Sequence, residues 1–92
     1  MDEHIKQFDY KGSNIKIDFW YCDHESIQGE IDISTLESGY NLNYFFDADI
    51  EDGLPEPRGT AYGSEYVNLP WELRLQITTI IRNFWVDAGA NL

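Results

Sequence analysis

Apolar residues between positions 15 and 46 fall at every second place, and between 73 and 88 they fall three and four apart. A side chain alternates faces along a strand and returns to the same face of a helix after about 3.6 residues, so this change of period dictates strands first and a helix last. Ile15, Ile17, Phe19 and Tyr21 share one face of a strand that runs to Cys22. Ile27, Ile31 and Ile33 repeat the pattern, and Tyr40, Leu42, Tyr44 and Phe46 repeat it again up to Asp47. Phe8 and Tyr10 mark a short first strand that turns through Lys11-Gly12-Ser13-Asn14. Asp23-His24-Glu25-Ser26 and Ser38-Gly39 supply the remaining turn chemistry. Consecutive strands on short connections predict an antiparallel meander.

From Asp47 to Ser64 the alternation stops among acids, prolines and glycines, which predicts a long acidic loop with room for a short strand near Thr60 to Tyr62. Asn68-Leu69-Pro70-Trp71-Glu72 then reads as a helix start, because Asn caps well, Pro is tolerated in the first turn and Glu favours the positive end of the dipole. Leu73, Ile77, Ile80, Ile81, Phe84 and Ala88 form one apolar stripe that ends near Gly89, leaving Trp71, Leu75 and Trp85 on the other side. The expected fold is α+β in a single domain over residues 1–92. An antiparallel sheet of about four strands (about 5–47) leads into the acidic loop (about 48–64) and a C-terminal amphipathic helix (about 69–88) that packs on one sheet face.

The chain has 92 residues, 42% of them hydrophobic and 15% aromatic, which demands a packed core and excludes an acidic disordered tail. A domain this short leaves little room for a deep cleft. Cys22 is the one cysteine, so neither an internal disulfide nor a multi-thiolate zinc site is possible. The start Met1-Asp2-Glu3-His4 lacks the basic and apolar stretches of a signal peptide. The apolar runs Phe19 to Cys22 and Tyr44 to Phe46 are far too short to span a bilayer. A cytoplasmic protein with no membrane partner is expected.

Net charge is −11, and residues 18 to 72 carry all of it, with Arg58 as their single base. Direct binding to nucleic acid is therefore not expected, since affinity for phosphate comes from Lys and Arg. Period two places Asp18, Glu30, Asp32 and Asp47 on the sheet face away from the isoleucines, together with Trp20, Asn41, Asn43 and Phe45. Like charges on neighbouring strands oppose folding. Acidity kept for solubility alone would not call for large aromatics, whereas protein interfaces place aromatic anchors at their centre.

Specific chemistry finds little support. Asp47-Ala48-Asp49-Ile50-Glu51-Asp52-Gly53 sets acids at alternate positions as a calcium loop does. It has Asp52 where the loop needs glycine and Arg58 where it needs a bidentate Glu, and a strand rather than a helix precedes it. Cys22-Asp23-His24-Glu25 gathers a thiol and an imidazole, but acids beside a cysteine favour the protonated thiol, and no zinc spacing is present. No nucleophile elbow, P-loop or dinucleotide fingerprint occurs, so no catalytic residue, cofactor or metal is assigned and an enzyme is not expected.

The expected function is that of a small acidic binding protein that inhibits or sequesters a basic, nucleic-acid-binding protein by covering its phosphate-binding surface. The expected site comprises Asp18, Trp20, Glu30, Asp32, Phe45, Asp47, Asp49, Glu51, Asp52 and Glu56, with Tyr62 or Tyr66 as further anchors. Nuclease immunity proteins and DNA-mimic inhibitors of restriction or CRISPR enzymes share this logic of size and charge, although no motif ties the chain to any of them. The alternatives are a structural or adaptor subunit, monomeric or homodimeric, whose acidity serves solubility, and a calcium-binding module.

Overall fold

A computed structural model describes residues 4–35, 41–59 and 65–92 of the chain. Among these residues the strands β1 (Ile5–Tyr10), β2 (Ser13–Cys22), β3 (Ser26–Thr35), β4 (Asn41–Asp49) and β5 (Arg58–Gly59) precede one helix, α1 (Trp71–Asp87). They form a five-stranded antiparallel sheet in the order β1-β2-β3-β4-β5, an α+β meander with one strand more than the alternation showed. Lys11 and Gly12 join β1 to β2 with φ of 47° and 85°, the left-handed pair that matches hairpin twist. Ser13 and Asn14, expected in that turn, already belong to β2.

The isoleucine face is closed by α1. Ile15, Ile17 and Phe19 of β2, Ile27, Ile31 and Ile33 of β3, and Tyr44, Phe46 and Ala48 of β4 are buried against Leu73, Ile77, Ile81 and Trp85. Ile80 and Phe84 are half-buried beside them, and the Phe84 ring lies parallel to that of Phe19 at 3.7 Å between centroids. Helix α1 ends at Asp87, close to the expected stop near Gly89, whose φ is 99°. Gly89 N–H donates to the Val86 carbonyl at 2.9 Å and Ala90 N–H to that of Trp85 at 3.1 Å, the paired bonds of a Schellman stop. No helix among the described residues is long and apolar enough to cross a membrane.

Several expectations are corrected. Tyr21 is not in the core: a β-bulge between Phe19 and Tyr21 shifts the register, so Trp20 and Tyr21 both face away from the helix and Cys22 packs inward. Trp85 is not on the outer side of α1: it is fully buried, and its Nε1–H donates to the Asp23 carbonyl at 2.8 Å, tying the helix to the β2–β3 turn. Asn68 is not the helix cap. It closes a 3-10 turn, Tyr66–Asn68, because Pro70 drives the preceding Leu69 to extended geometry (φ −69°, ψ 152°) and the helix starts only after the proline.

Strand β4 runs on to Asp49 because Ala48 continues the inward alternation, so the loop starts two residues later than expected. A short strand lies at Arg58–Gly59, and the expectation for Thr60 to Tyr62 lies outside the described residues. Tyr66 is buried against the Tyr44 ring edge, at 5.7 Å between centroids, and is not an exposed anchor. The expectations for Ser38, Gly39, Tyr40 and Tyr62, and for the Asn41 side chain, lie outside the described residues.

Candidate functional site

The sheet face opposite α1 carries the candidate site, and its order follows from strand register. One row crosses all five strands as Ile5, Asp18, Glu30, Phe45 and Arg58. The row to one side is Gln7, Lys16, Asp32 and Asn43. On the other side Tyr21, Gln28 and Asp47 align, with the bulged Trp20 next to Tyr21, and beyond them Ser26 faces Asp49. Asp18, Trp20, Glu30, Asp32, Phe45 and Asp47 therefore come together on one surface.

Neutral donors hold most of these acids. The Asn43 Nδ2 amide donates to Asp32 Oδ1 at 2.5 Å and to Glu30 Oε2 at 3.2 Å, so one side chain bridges two carboxylates. His4 Nδ1 lies 3.6 Å from Asp18 Oδ1, a contact longer than a hydrogen bond, whereas Gln28 Nε2 donates to Asp47 Oδ1 at 3.4 Å and Ser26 Oγ–H donates to Asp49 Oδ1 at 2.8 Å. Hydrogen bonds of this kind fix carboxylate geometry while leaving the negative charge in place. Two bases belong to the same face, Lys16 opposite Asp32 and Arg58 opposite Phe45, and the sequence reading of the face had included neither.

Trp20 is 58% exposed, Tyr21 51% and Phe45 37%. Their exposure is a consequence of backbone geometry: two successive residues at a bulge can point the same way, and the alternation of β4 sends Phe45 outward between the inward Tyr44 and Phe46. Tyr21 is the exposed aromatic of this face that the hydrophobic pattern does not reveal. Its signal was the pair of adjacent aromatics, Trp20-Tyr21, in a strand whose partner carries Gly29 opposite Phe19.

The acids of the loop are not all gathered here. Glu56 borders a depression with Phe45, Asp47 and Arg58, next to the face. Glu51 and Asp49 lie instead with Glu25 around a depression at the sheet end, and Asp52 is exposed on the 3-10 turn Ile50–Asp52. No three His, Cys, Asp or Glu side chains among the described residues converge as ligands for a metal ion. Asp47 and Asp49 explain why, since residues two apart on an extended strand stand about 6.8 Å from one another.

Tyr21 is held by the β2–β3 turn. Asp23 Oδ1 accepts the backbone N–H groups of Glu25 and Ser26, both at 2.8 Å, and its Oδ2 accepts the Tyr21 hydroxyl at 2.5 Å. The Tyr21 bond and the two N–H groups hold the Asp23 carboxyl below its ordinary value, and the same bond pushes the Tyr21 phenol up. A depressed carboxyl stabilises the fold above its unfolded value, and that contribution fades as pH falls through the folded one. In an NMR pH titration Asp23 is expected to have its midpoint below the ordinary aspartate value, with the Ser26 amide shifting in step. A midpoint at the ordinary value would remove the Tyr21 bond from solution. Cys22 is half-buried beside this turn, where burial and then Asp23 push its thiol up, and His24 Nε2 lies 3.4 Å from Glu25. That surrounding suits an inert thiol rather than a nucleophile.

Helix α1 presents a second apolar feature, with Trp71 66% exposed and Leu75 50% exposed on its outer side. The chain matches no family model, no curated protein and no solved structure.

Proposed function

We propose that this protein binds a basic, nucleic-acid-binding protein through its open sheet face and inhibits or sequesters that partner by covering its phosphate-binding surface. The observation that carries the reading is the exposure of Trp20, Tyr21 and Phe45 among carboxylates on the sheet face opposite the helix. The acids supply long-range attraction that accelerates encounter, and the rings supply contact area that, once desolvated, slows dissociation. Because Asn43, Gln28 and Ser26 already hold the carboxylates, little ordering is left for the moment of binding. The action is that of a DNA mimic or nuclease immunity protein, with no catalytic step.

The test begins with affinity capture from host lysate at low salt, followed by elution with duplex DNA. The retained partner is then measured against the triple variant Asp18→Asn, Glu30→Gln, Asp32→Asn. The on-rate is expected to fall about tenfold or more at low salt, with a flatter salt dependence and an intact fold. Unchanged kinetics would remove the sheet face from the site.

The exposure of Trp71 and Leu75 favours a second reading, a subunit that docks through the outer side of α1 and is acidic for solubility. The burial of Trp85 makes that patch smaller than the sequence implied. Trp71→Ser with Leu75→Ser would abolish partner capture under this reading and leave it intact under the first.

A further inference from the structure

We infer that the outer side of α1 is the contact surface for a second copy of this chain, laid against it antiparallel about a two-fold axis. The inference is independent of the open sheet face, which lies on the other side of the sheet and stays uncovered. At about 100° per residue, Trp71, Leu75, Thr79, Arg82 and Val86 fall within about 80° of the helix circumference, and all five are exposed. The buried line Leu73, Ile77, Ile81 and Trp85 is centred about 140° away and faces the sheet. The helix therefore carries two stripes, and the sheet takes one. In the outer stripe Thr79 Oγ1–H donates back to the Leu75 carbonyl at 2.8 Å, so its hydroxyl is already satisfied beside the exposed tryptophan, leucine and valine. Exposed apolar side chains in one line are what a protein contact needs.

Charge and spacing name the occupant. Helix α1 holds two acids, Glu72 and Asp87, and two bases, Arg74 and Arg82, so it is neutral in a chain of net charge −11. A basic protein is drawn to the acidic sheet face and loop, whereas a second acidic molecule meets no local repulsion at α1. Trp71 and Arg82 are eleven residues apart, about three turns along one stripe, with Leu75 between them. When two such helices lie antiparallel with the axis between positions 76 and 77, each Trp71 is level with Arg82 of the other copy, and the two Leu75 side chains meet at the axis. Arg82 has no hydrogen bond or ion pair with any described residue, which leaves its guanidinium to lie over the indole, the best ring partner for a cation. A parallel pairing would set Arg82 against Arg82 and align the two helix dipoles.

Sedimentation equilibrium of the whole protein tests the pairing. A dimer with a Kd on the order of 100 µM is expected, since one stripe per copy is a small interface. It is expected to tighten about threefold between about 0.05 M and about 0.5 M salt, because screening relieves the net repulsion, whereas capture of a basic protein weakens over the same range. Trp71→Ser with Leu75→Ser, checked for an unchanged melting curve, is expected to weaken the dimer about tenfold or more. Trp71→Leu and Arg82→Gln are each expected to weaken it about fivefold, and together no more than Trp71→Leu alone. Within one chain these side chains are about 16 Å apart along the axis, so only facing copies produce that overlap. A protein that stays monomeric to about 1 mM, a dimer that survives the serine variant, or single effects that multiply overturns the pairing. A monomer whose serine variant loses partner capture assigns the stripe to another protein and overturns it as well. The triple variant Asp18→Asn, Glu30→Gln, Asp32→Asn is expected to dimerise at least as tightly as the native chain, so the sheet-face reading and the helix pairing can each fail alone.

Discussion

Trp85→Ala is expected to remove about 3–5 kcal/mol of folding free energy, measured by urea denaturation. A domain of this size holds roughly 5–14 kcal/mol in total, so the variant approaches the edge of folding at ambient temperature. The reason lies in what Trp85 joins. Its ring is fully buried at the end of the stripe Leu73, Ile77, Ile81, and its Nε1–H reaches the Asp23 carbonyl on the far side of the core, 62 residues away in sequence. Truncation would open a cavity between α1 and the β2–β3 turn that neither rigid element can close. Trp85→Phe separates the two contributions: most of the packing stays, the hydrogen bond goes, and a loss of about 1 kcal/mol is expected. A loss under about 1 kcal/mol for the alanine variant would return Trp85 to the surface.

Gly29→Ala is expected to cost about 3 kcal/mol, although alanine is ordinarily the better residue inside a strand by roughly 0.5–1 kcal/mol. A Cβ at this position would run into the Asp18 carbonyl and come within 2.6 Å of the Phe46 ring and 3.2 Å of the Phe19 Cα. The ring can turn, but the carbonyl is backbone at the entrance to the bulge and moves only if the β2–β3 register moves with it. The Phe19 and Phe46 rings, edge to face at 5.8 Å, occupy the room that the glycine leaves. The variant should therefore also shift the Trp20 environment, so a change in tryptophan emission at full folding would accompany the lost stability. A stable variant with native emission would mean that the bulge does not depend on this glycine.

Where packing followed period alone, it was legible in the sequence. Ile15, Ile17, Ile31, Ile33, Tyr44 and Phe46 lie where alternation put them, and so do Asp18, Glu30, Asp32 and Phe45 on the opposite face. Tyr21 was misplaced because a bulge adds a residue without leaving a mark in the hydrophobic pattern, and every position after it changes face. Trp85 was misplaced because two stripes a few tens of degrees apart fit the same helix. The one that is buried repeats strictly at four, through Leu73, Ile77, Ile81 and Trp85. The hold of Asn43 on Glu30 and Asp32 depends on cross-strand register, which period two does not set.

Strand order bears on how the chain is made as well as on how it holds together. Each strand pairs with its sequence neighbour, so the sheet can assemble hairpin by hairpin as the chain lengthens, and the last of its described strands ends at Gly59. The helix that covers its isoleucine face does not end until Asp87. At about 5–20 residues per second of synthesis, that face stays bare for a time on the order of seconds, long enough to meet another nascent copy. In that interval the like net charge on every copy opposes the association that the bare apolar face favours.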